Sequence, residues 1–323
     1  MKAVFMGTPD FAVPSLTKMI GDPEIEIVGV VTQPDRPRGR GNKMTPSPVK
    51  RLALDWGLDL FQPESINTPQ SYSKVAEWDP EVIVVVAFGQ ILKPHILELP
   101  PLECINVHAS LLPRYRGAAP IHWAVINGER KTGVTTMYMD QGMDTGDIIL
   151  QEELAIGELE TTGEVHDRLA RLGADVLLRT LHLIREGQAP RSPQDDSKAS
   201  YAPLLTREHE VIDWGLSAAQ IVNHIRGLNP WPGSFTTWKG KTIKLWRAHV
   251  WDNGKNAARG LAGQVVIAGK EGIIVQTGKG LIAITELQMQ NRSRLDAESF
   301  LRGNSMKPGE ILGGVSPNDE KQG

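Results

Sequence analysis

The sequence predicts a protein of the α/β class: a doubly wound, Rossmann-like, mostly parallel sheet, followed by a small C-terminal β-barrel domain. Strand-like and helix-like segments alternate over the first 190 residues, which is typical of parallel βαβ units. Residues 82–86 form an uninterrupted β-branched run, as expected of a parallel strand buried on both faces. After residue 207, short apolar runs are separated by glycines, a pattern that suggests a small barrel.

The elements can be predicted in chain order from periodicity and turn residues. Seven strands are predicted in the first part: 2–6, 26–32, 58–61, 81–88, 103–108, 133–139 and 147–150. The helices between and after them are predicted at 10–20, 48–56, 69–77, 118–127 and 162–186. In the second part we expect one helix at 217–226 and strands at 235–238, 243–251, 263–268, 273–277 and 281–288.

A polar, proline-containing stretch separates the two parts of the chain. Residues 188–203 contain Pro190, Pro193 and Pro203 among serines and aspartates, a composition typical of a linker. We therefore predict a first domain at 1–189, a linker at 190–206 and a second domain at 207–313. The remaining polar residues, 314–323, are predicted to be a disordered tail.

Several classes of protein are excluded by composition. The sequence has no apolar run of about 18 residues, so no membrane span is expected. Its single cysteine, Cys104, cannot form an intrachain disulfide and fits a reducing, cytoplasmic location; a buried core thiol is its simplest interpretation. The histidines lack metal-binding spacing, so no metal site is predicted. The first βα turn, Gly7-Thr8-Pro9-Asp10, lacks a dinucleotide fingerprint, so no NAD is expected.

The charge distribution is uneven. Residues 1–206 hold 20 Lys and Arg against 27 Asp and Glu, whereas residues 207–323 hold 15 against 11. Within the acidic part, residues 35–51 form a basic, glycine-containing loop that includes Arg36, Arg38, Arg40 and Lys43. Such a loop can be only a solvated surface, but it is long for a βα connection. Alternating arginines in an extended chain share one side, where guanidinium groups can bind phosphate.

Polar residues gather where two predicted strands end. Asn106 and His108 are two residues apart and therefore share a face of their strand, near the carboxyl edge where α/β sheets bind ligands. A carboxylate follows in the loop Asp140–Asp147, where Asp140, Asp144 and Asp147 compete for the role. A lone histidine is more often structural, but an amide, an imidazole and a carboxylate together suit acyl-type transfer.

These residues also carry a family resemblance. The pattern N-V-H-x-S-L-L-P at 106–113, followed by D-x-G-x-D-T-G-D at 140–147, resembles the signature of folate-dependent formyltransferases. The segments 5–11, 33–41, 46–50 and 229–232 strengthen the resemblance, which runs from about residue 2 to about residue 312. The resemblance implies 10-formyltetrahydrofolate as the formyl donor and Asn106, His108 and Asp144 as the catalytic residues.

The resemblance also implies the acceptor and the binding segments. The expected acceptor is the α-amine of methionyl-initiator-tRNA, so that the product serves translation initiation, and no obligate protein partner is implied. The implied folate-binding residues are Ser110, Leu111, Leu112 and Pro113. The implied tRNA-binding residues are Arg36, Arg38, Arg40 and Lys43, and the second domain would be an oligonucleotide-binding-like barrel. Two alternatives stay open: a formyltransferase acting on a small amine, such as a purine precursor or an amino sugar, and a non-catalytic RNA-binding protein.

Overall fold

The computed structural model describes residues 1–38, 43–252 and 260–313, without the side chains of Arg38 and Lys43. These residues form two compact units. The first unit contains residues 1–120, 131–155 and 166–202, and the second contains 121–130, 156–165 and the chain from 203 onward. In the described ranges, no helix combines the length and the apolar character needed to cross a membrane.

The first two-thirds of the chain alternates strands and helices. In order, these elements are β1 (Lys2–Gly7), α1 (Val13–Ile20), β2 (Glu26–Val31), β3 (Arg36–Arg38), β4 (Lys43–Thr45), α2 (Pro48–Asp55), β5 (Leu60–Phe61), α3 (Pro69–Glu77), β6 (Val82–Val86), α4 (Pro94–Leu97), β7 (Cys104–His108), α5 (Pro120–Ile126), β8 (Lys131–Tyr138), β9 (Ile148–Ala155) and α6 (Thr162–Arg185).

A seven-stranded sheet forms the centre of the first unit. Its strand order is β5-β2-β1-β6-β7-β8-β9. The pairs from β5 to β7 are parallel, whereas β8 and β9 add two antiparallel pairs at the edge. Every residue of β6 is buried, as expected of an inner strand of a parallel sheet that is covered on both faces. The predicted doubly wound, mostly parallel sheet is confirmed.

Local sequence signals explain where the helices begin. Ser47 and Thr68 precede α2 and α3, and each hydroxyl accepts a hydrogen bond from the backbone N–H three residues later. Both helices have proline in their first turn, where a missing N–H costs nothing. The sheet then supplies the core, in which Met6, Ile83 and Cys104 pack with residues that include Ile66 and Val75.

The second unit is built around antiparallel strands. Its further elements are α7 (Ala218–Gly227), β10 (Ser234–Trp238), β11 (Lys241–Trp251), β12 (Val265–Gly269), β13 (Gly272–Gln276), β14 (Leu281–Met289), β15 (Leu295–Asp296) and α8 (Ala297–Gly303). The strand order is β10-β11-β14-β13-β12, and β15 pairs with β14. Ile221 and Ile225 of α7 share a buried apolar core with Leu245, Ile282 and Phe300. The predicted C-terminal β domain is confirmed.

The stretch that we predicted as a linker makes specific contacts within the first unit. Ser192 exchanges backbone hydrogen bonds with Ile148. Ala202 donates to the carbonyl of Arg116 and accepts from the N–H of Ala119. The domain limits of 1–189 and 207–313 stay a prediction, and the predicted tail at 314–323 lies outside the described residues.

Candidate active site

The candidate site begins at the carboxyl end of β7. Asn106 pairs in register with Val85 of β6, and His108 lies opposite Thr135 of β8. The register shows that β7 is an inner strand that runs parallel to β6. Its carboxyl end therefore lies beside that of β6, where ligands bind in open α/β sheets. The strand ends at His108, and the following turn carries Ser110 and Pro113.

His108 is held by a backbone carbonyl. Its side chain is 7% exposed, and Nε2 lies 3.0 Å from the carbonyl oxygen of Tyr115. A carbonyl oxygen only accepts, so Nε2 must carry the hydrogen and donate it. The other ring nitrogen, Nδ1, lies 3.6 Å from Oδ2 of Asp144. Nδ1 is therefore the nitrogen that can gain or lose a proton while the bond to Tyr115 persists.

Asp144 is fixed by its backbone neighbours. Its side chain is 17% exposed, and Oδ2 accepts a hydrogen bond of 2.8 Å from the N–H of Gly117. Asp144 itself has a φ of 55°, a left-handed conformation that is uncommon outside glycine. Two features favour glycine at position 117. Its φ is 116°, and an added Cβ would lie 2.9 Å from the carbonyl oxygen of Ala202.

The side chain of Asn106 lies on the same face of β7 as that of His108, because the two residues are two apart in the strand. Asn106 is partly exposed. Within the described part of the chain, no side chain or backbone group hydrogen-bonds its amide. Its two N–H donors are thus available to a bound molecule.

Side chains of β8 and β9 hold the turn after His108 by hydrogen bonds. The hydroxyl of Thr135 donates to the carbonyl of Ser110 at 2.6 Å and accepts from the N–H of Leu112 at 3.1 Å. Gln151 Nε2 donates to the carbonyl of Leu112 at 2.8 Å. Leu112 is buried, whereas Leu111 and Pro113 are partly exposed. The turn therefore presents apolar surface from Leu111 and Pro113. The Ser110 hydroxyl donates a hydrogen bond to the carbonyl of Arg114.

The predicted basic loop contains a two-stranded antiparallel hairpin. Arg36 pairs with Thr45, and Arg38 pairs with Lys43, in the backbone register of β3 and β4. Arg36 is exposed. Arg40, which is also predicted to bind tRNA, lies outside the described residues, as do the side chains of Arg38 and Lys43.

The base of this hairpin is anchored by a carboxylate. Asp35 accepts hydrogen bonds from Gln62 Nε2 at 2.9 Å and from Lys50 Nζ at 2.7 Å. The bond from Gln62, with that from Lys50 next, holds the pKa of Asp35 below its usual value. The charged carboxylate thus ties the start of β3 to α2, which carries Lys50.

Two other sets of reactive groups lie in the described residues: the thiol of Cys104 and a cluster of Asp22, Glu24 and His182. Cys104 is buried, and this burial raises the pKa of its thiol, which argues against a nucleophile. Asp22, Glu24 and His182 lie close enough to share a metal ion. However, His182 Nε2 lies 2.9 Å from Asp22, and Arg185 pairs with Glu24. The prediction that the protein uses no metal stays a prediction.

Comparison with known proteins decides the family. Residues 1–181 match the formyl transferase family model, and residues 204–305 match the formyl transferase C-terminal domain model. The chain belongs to the formyl transferase family. A methionyl-tRNA formyltransferase from Desulforamulus reducens is 52% identical over 313 residues, covering 97% of this chain and 98% of that protein. One from Pelotomaculum thermopropionicum is 54% identical, covering 97% and 99%. The resemblance seen in the sequence is confirmed.

Solved structures share the fold of this formyl transferase. An N-formyltransferase from Helicobacter canadensis, crystallised with folinic acid and dTDP-3-aminofucose, superposes with a TM-score of 0.64 at 19% identity, covering 90% of this chain and all of that one. HypX from Aquifex aeolicus in complex with tetrahydrofolic acid gives a TM-score of 0.63 at 17% identity, covering 93% and 47%. At such low identity these structures support the fold alone.

Several residues that shape the site in this formyl transferase were missed by sequence reasoning. Thr135 and Gln151 lock the turn at 110–113, and Gly117 binds the Asp144 carboxylate. Gln194 donates to two carbonyls of the Asp144 loop. No local pattern marks the roles of Thr135, Gln151 and Gln194, since each depends on a contact with a segment that is distant in the sequence. Only the glycine in Arg116-Gly117 carried a signal, as a position suited to left-handed backbone.

Proposed function

We propose that this chain transfers the formyl group of 10-formyltetrahydrofolate to the α-amine of methionyl-initiator-tRNA. One observation carries the proposal: relatives named methionyl-tRNA formyltransferase share 52% and 54% identity over nearly the whole length of the chain. Initiator tRNA is charged and used in the cytoplasm, so we infer that the protein acts there. The product is the formyl-methionyl-tRNA that serves translation initiation.

The reaction makes three chemical demands. The unprotonated α-amine of the methionyl group attacks the formyl carbon on N10 of the folate, and a C–N bond forms. The carbonyl oxygen becomes a tetrahedral oxyanion, which needs hydrogen-bond donors. The bond from the formyl carbon to N10 then breaks, the amine loses a proton and N10 gains one, so that tetrahydrofolate leaves. No covalent bond to the enzyme is required.

Asn106 is suited to stabilise the oxyanion, and His108 is suited to carry the proton. The free N–H donors of Asn106 can stabilise the charge that develops on the formyl oxygen. His108 keeps Nε2 on the carbonyl of Tyr115, so its proton exchange takes place at Nδ1. An imidazole is neutral or charged near neutral pH, and the charged form would add positive potential beside the oxyanion.

Asp144 is suited to stabilise the charged form of His108. Its carboxylate faces Nδ1 at 3.6 Å, a separation that is too long for a direct hydrogen bond. A small rotation of the ring, or one bridging water, would complete the contact. The N–H of Gly117 keeps Oδ2 in place during this change.

The two substrates require different surfaces. We assign the folate to the turn at 110–113, where the partly exposed Leu111 and Pro113 suit a flat heteroaromatic ring. We assign tRNA phosphates to the hairpin of β3 and β4, with Arg36, Arg38, Arg40 and Lys43 as the contacting residues. The exposed side chain of Arg36 supports this assignment, because a guanidinium group can bind phosphate with two hydrogen bonds.

The proposal is tested by a formylation assay on purified protein. The protein is incubated with 10-formyltetrahydrofolate and methionyl-initiator-tRNA, and formyl-methionine is measured after the ester is hydrolysed. Parallel reactions contain methionyl-elongator-tRNA, a purine-precursor amine or a nucleotide-linked amino sugar. We expect rapid formylation of the initiator tRNA. Formylation of a small amine alone, or of no acceptor, would contradict the proposal.

A further inference from the structure

We infer that Gln194 is a positioning residue for the reaction: its side-chain amide holds the loop that carries Asp144. This inference rests on the proposed function of Asp144. Gln194 lies in the polar stretch that the sequence predicts as a linker, fifty residues after Asp144. It is not expected to touch either substrate; it acts through the backbone of the Asp144 loop.

The amide of Gln194 matches two carbonyl groups of this loop. Its Nε2 lies 2.8 Å from the carbonyl oxygen of Asp144 and 2.8 Å from that of Gly146. A side-chain amide has two N–H donors, one for each carbonyl. Gly146 lies close against the sheet, where an added Cβ would meet the carbonyl oxygen of Tyr138 at 1.8 Å. The loop is thus held by hydrogen bonds at Asp144 and Gly146, the residues on both sides of Thr145.

Arg116 fixes the orientation of this amide. Oε1 of Gln194 accepts hydrogen bonds from Arg116 Nε at 3.2 Å and from a terminal guanidinium nitrogen at 2.8 Å. A guanidinium group only donates, so the oxygen must face Arg116 and the nitrogen must face the two carbonyls. Arg116 is 2% exposed and also pairs with Asp196 at 2.7 Å. Removing an acceptor from a buried cation is costly, so Arg116 holds the Gln194 oxygen in this orientation.

The same stretch of chain also holds the partner of His108. Ser200 Oγ accepts a hydrogen bond of 2.9 Å from the N–H of Tyr115, whose carbonyl accepts from His108. Tyr115 and Asp144 have φ values of 61° and 55°, and such backbone persists only where the surroundings hold it. Residues 194–200 therefore hold the two left-handed residues on either side of the imidazole.

The consequence is specific to the catalytic step. Loss of the Gln194 donors would let the Asp144 backbone relax, so that its carboxylate would no longer face Nδ1 of His108. Misplacing a catalytic group by about 1 Å can slow catalysis about 10²-fold. The turn at 110–113 is locked by Thr135 and Gln151 instead. The binding of folate should therefore be unaffected.

Two variants separate the donors from the rest of the side chain. Gln194→Glu keeps an oxygen for Arg116, so the arginine stays paired, but it replaces both N–H donors with a carboxylate oxygen that repels the two carbonyls. Gln194→Met keeps the length and loses all hydrogen bonds. We expect each variant to lower kcat roughly 10- to 100-fold with little change in the KM for folate. Gln188→Glu, at an exposed position of the same stretch, is the matched control and should behave like the unmodified protein.

Coupling to Asp144 distinguishes positioning from general stability. In an Asp144→Ala background, Gln194→Glu should slow single-turnover formylation less than about twofold, because the group that it positions is gone. An equal loss in both backgrounds, or full activity of Gln194→Glu in the unmodified background, would overturn the inference.

Amide hydrogen exchange provides a test that does not depend on activity. Gln194→Glu should speed exchange at the N–H of Gly117 and in residues 142–147, and leave β1 and β6 unchanged. Unaltered exchange in the loop would overturn the inference. If the unmodified protein failed to formylate methionyl-tRNA, the proposed function would fall, and the exchange result would still decide whether Gln194 holds the loop.

Discussion

Nδ1 of His108 faces Oδ2 of Asp144 at 3.6 Å, while the opposite ring nitrogen donates to the carbonyl of Tyr115. The imidazole is therefore held on one side by a neutral acceptor and faces a carboxylate on the other. Because Oδ2 also accepts from Gly117, the carboxylate cannot turn away without losing a bond. Asp144 is therefore placed to stabilise a charged His108 in the reaction that we propose.

Removal of the Asp144 charge should slow catalysis. Asp144→Asn keeps the shape of the side chain and an oxygen for the N–H of Gly117, but it no longer stabilises charged His108. We expect kcat to fall by about 10²–10⁴, the range for acid–base groups, with little change in the KM for folate. Steady-state kinetics measures both parameters.

A residue in the same loop provides the control for this prediction. Asp147 makes a longer ion pair of 3.8 Å with Arg191, and such surface pairs contribute little. Asp147→Asn should therefore keep activity within a few-fold. Equal losses in the two variants would show that the whole loop matters and that Asp144 has no special role.

The hairpin of β3 and β4 should bind tRNA and not folate. Arg36→Ala removes an exposed guanidinium group, so the KM for tRNA should rise and the KM for folate should stay the same. The salt dependence of tRNA binding should become shallower by up to about one unit of slope per lost phosphate contact. Arg36→Lys should recover part of the loss, because the charge remains but the planar fork does not.

Arg171 provides a matched control for the hairpin, since it is also exposed but lies on α6. Arg171→Ala should leave the KM for tRNA and the salt dependence unchanged. An equal effect of both substitutions would indicate a general charge effect. Protection of the hairpin from proteolysis by folate alone would contradict its assignment to tRNA.

The anchor of the hairpin should make stability depend on pH. The fold lowers the pKa of Asp35 from its ordinary value of 3.8, so its charged form stabilises the folded state. That contribution is present above the unfolded pKa and is lost as the pH falls through the folded pKa. Asp35→Asn should lower the urea midpoint at neutral pH, and the difference from the unmodified protein should shrink below pH 3.8. A difference that is independent of pH would refute this explanation.

The single cysteine should be inert in the folded protein. Cys104 is fully buried, and burial raises the pKa of its thiol, so little thiolate forms and reagents have no access. A thiol reagent at about pH 8 should label no cysteine in the native protein and one per chain in denaturant. Cys104→Ser should retain formylation activity. Rapid native labelling together with loss of activity would instead indicate a nucleophile.

The sequence predicted most of the fold because its elements have strong local signals. The apolar run at 82–86 became the fully buried β6, and the periodic segment at 162–186 became α6. The hairpin of β3 and β4 was expected only as an extended loop, since three-residue strands carry little periodicity. The helix α4 was missed because it has only four residues, too few to show a helical pattern.

The part of the candidate site that lies on a single strand could be predicted from the sequence. Asn106 and His108 follow from strand alternation, whereas the choice of Asp144 over Asp140 and Asp147 came from the family resemblance. The structure gives Asp140 a different task, because its carboxylate accepts from the N–H of Gly142 and the hydroxyl of Thr145. Such a bond within a loop is typical of aspartate in turns.

The role of the 188–203 stretch could not be read from its sequence. Its composition is that of a linker, yet Gln194 and Ser200 contact the loop and turn beside His108. These contacts join residues that are fifty and eighty-five positions apart. Local composition carries no information on pairing over such distances, so only the three-dimensional structure reveals it.

The most direct test of the proposed catalytic unit is single-turnover formylation of methionyl-initiator-tRNA by Asn106→Ala, His108→Ala and the double variant, each shown to melt like the unmodified protein. Asn106→Ala should slow the chemical step by about 10²–10³, the loss typical of one oxyanion donor. If the two residues act on one transition state, the double variant should lose far less than the product of the two single losses. Full multiplication of the two losses would contradict a shared role for Asn106 and His108.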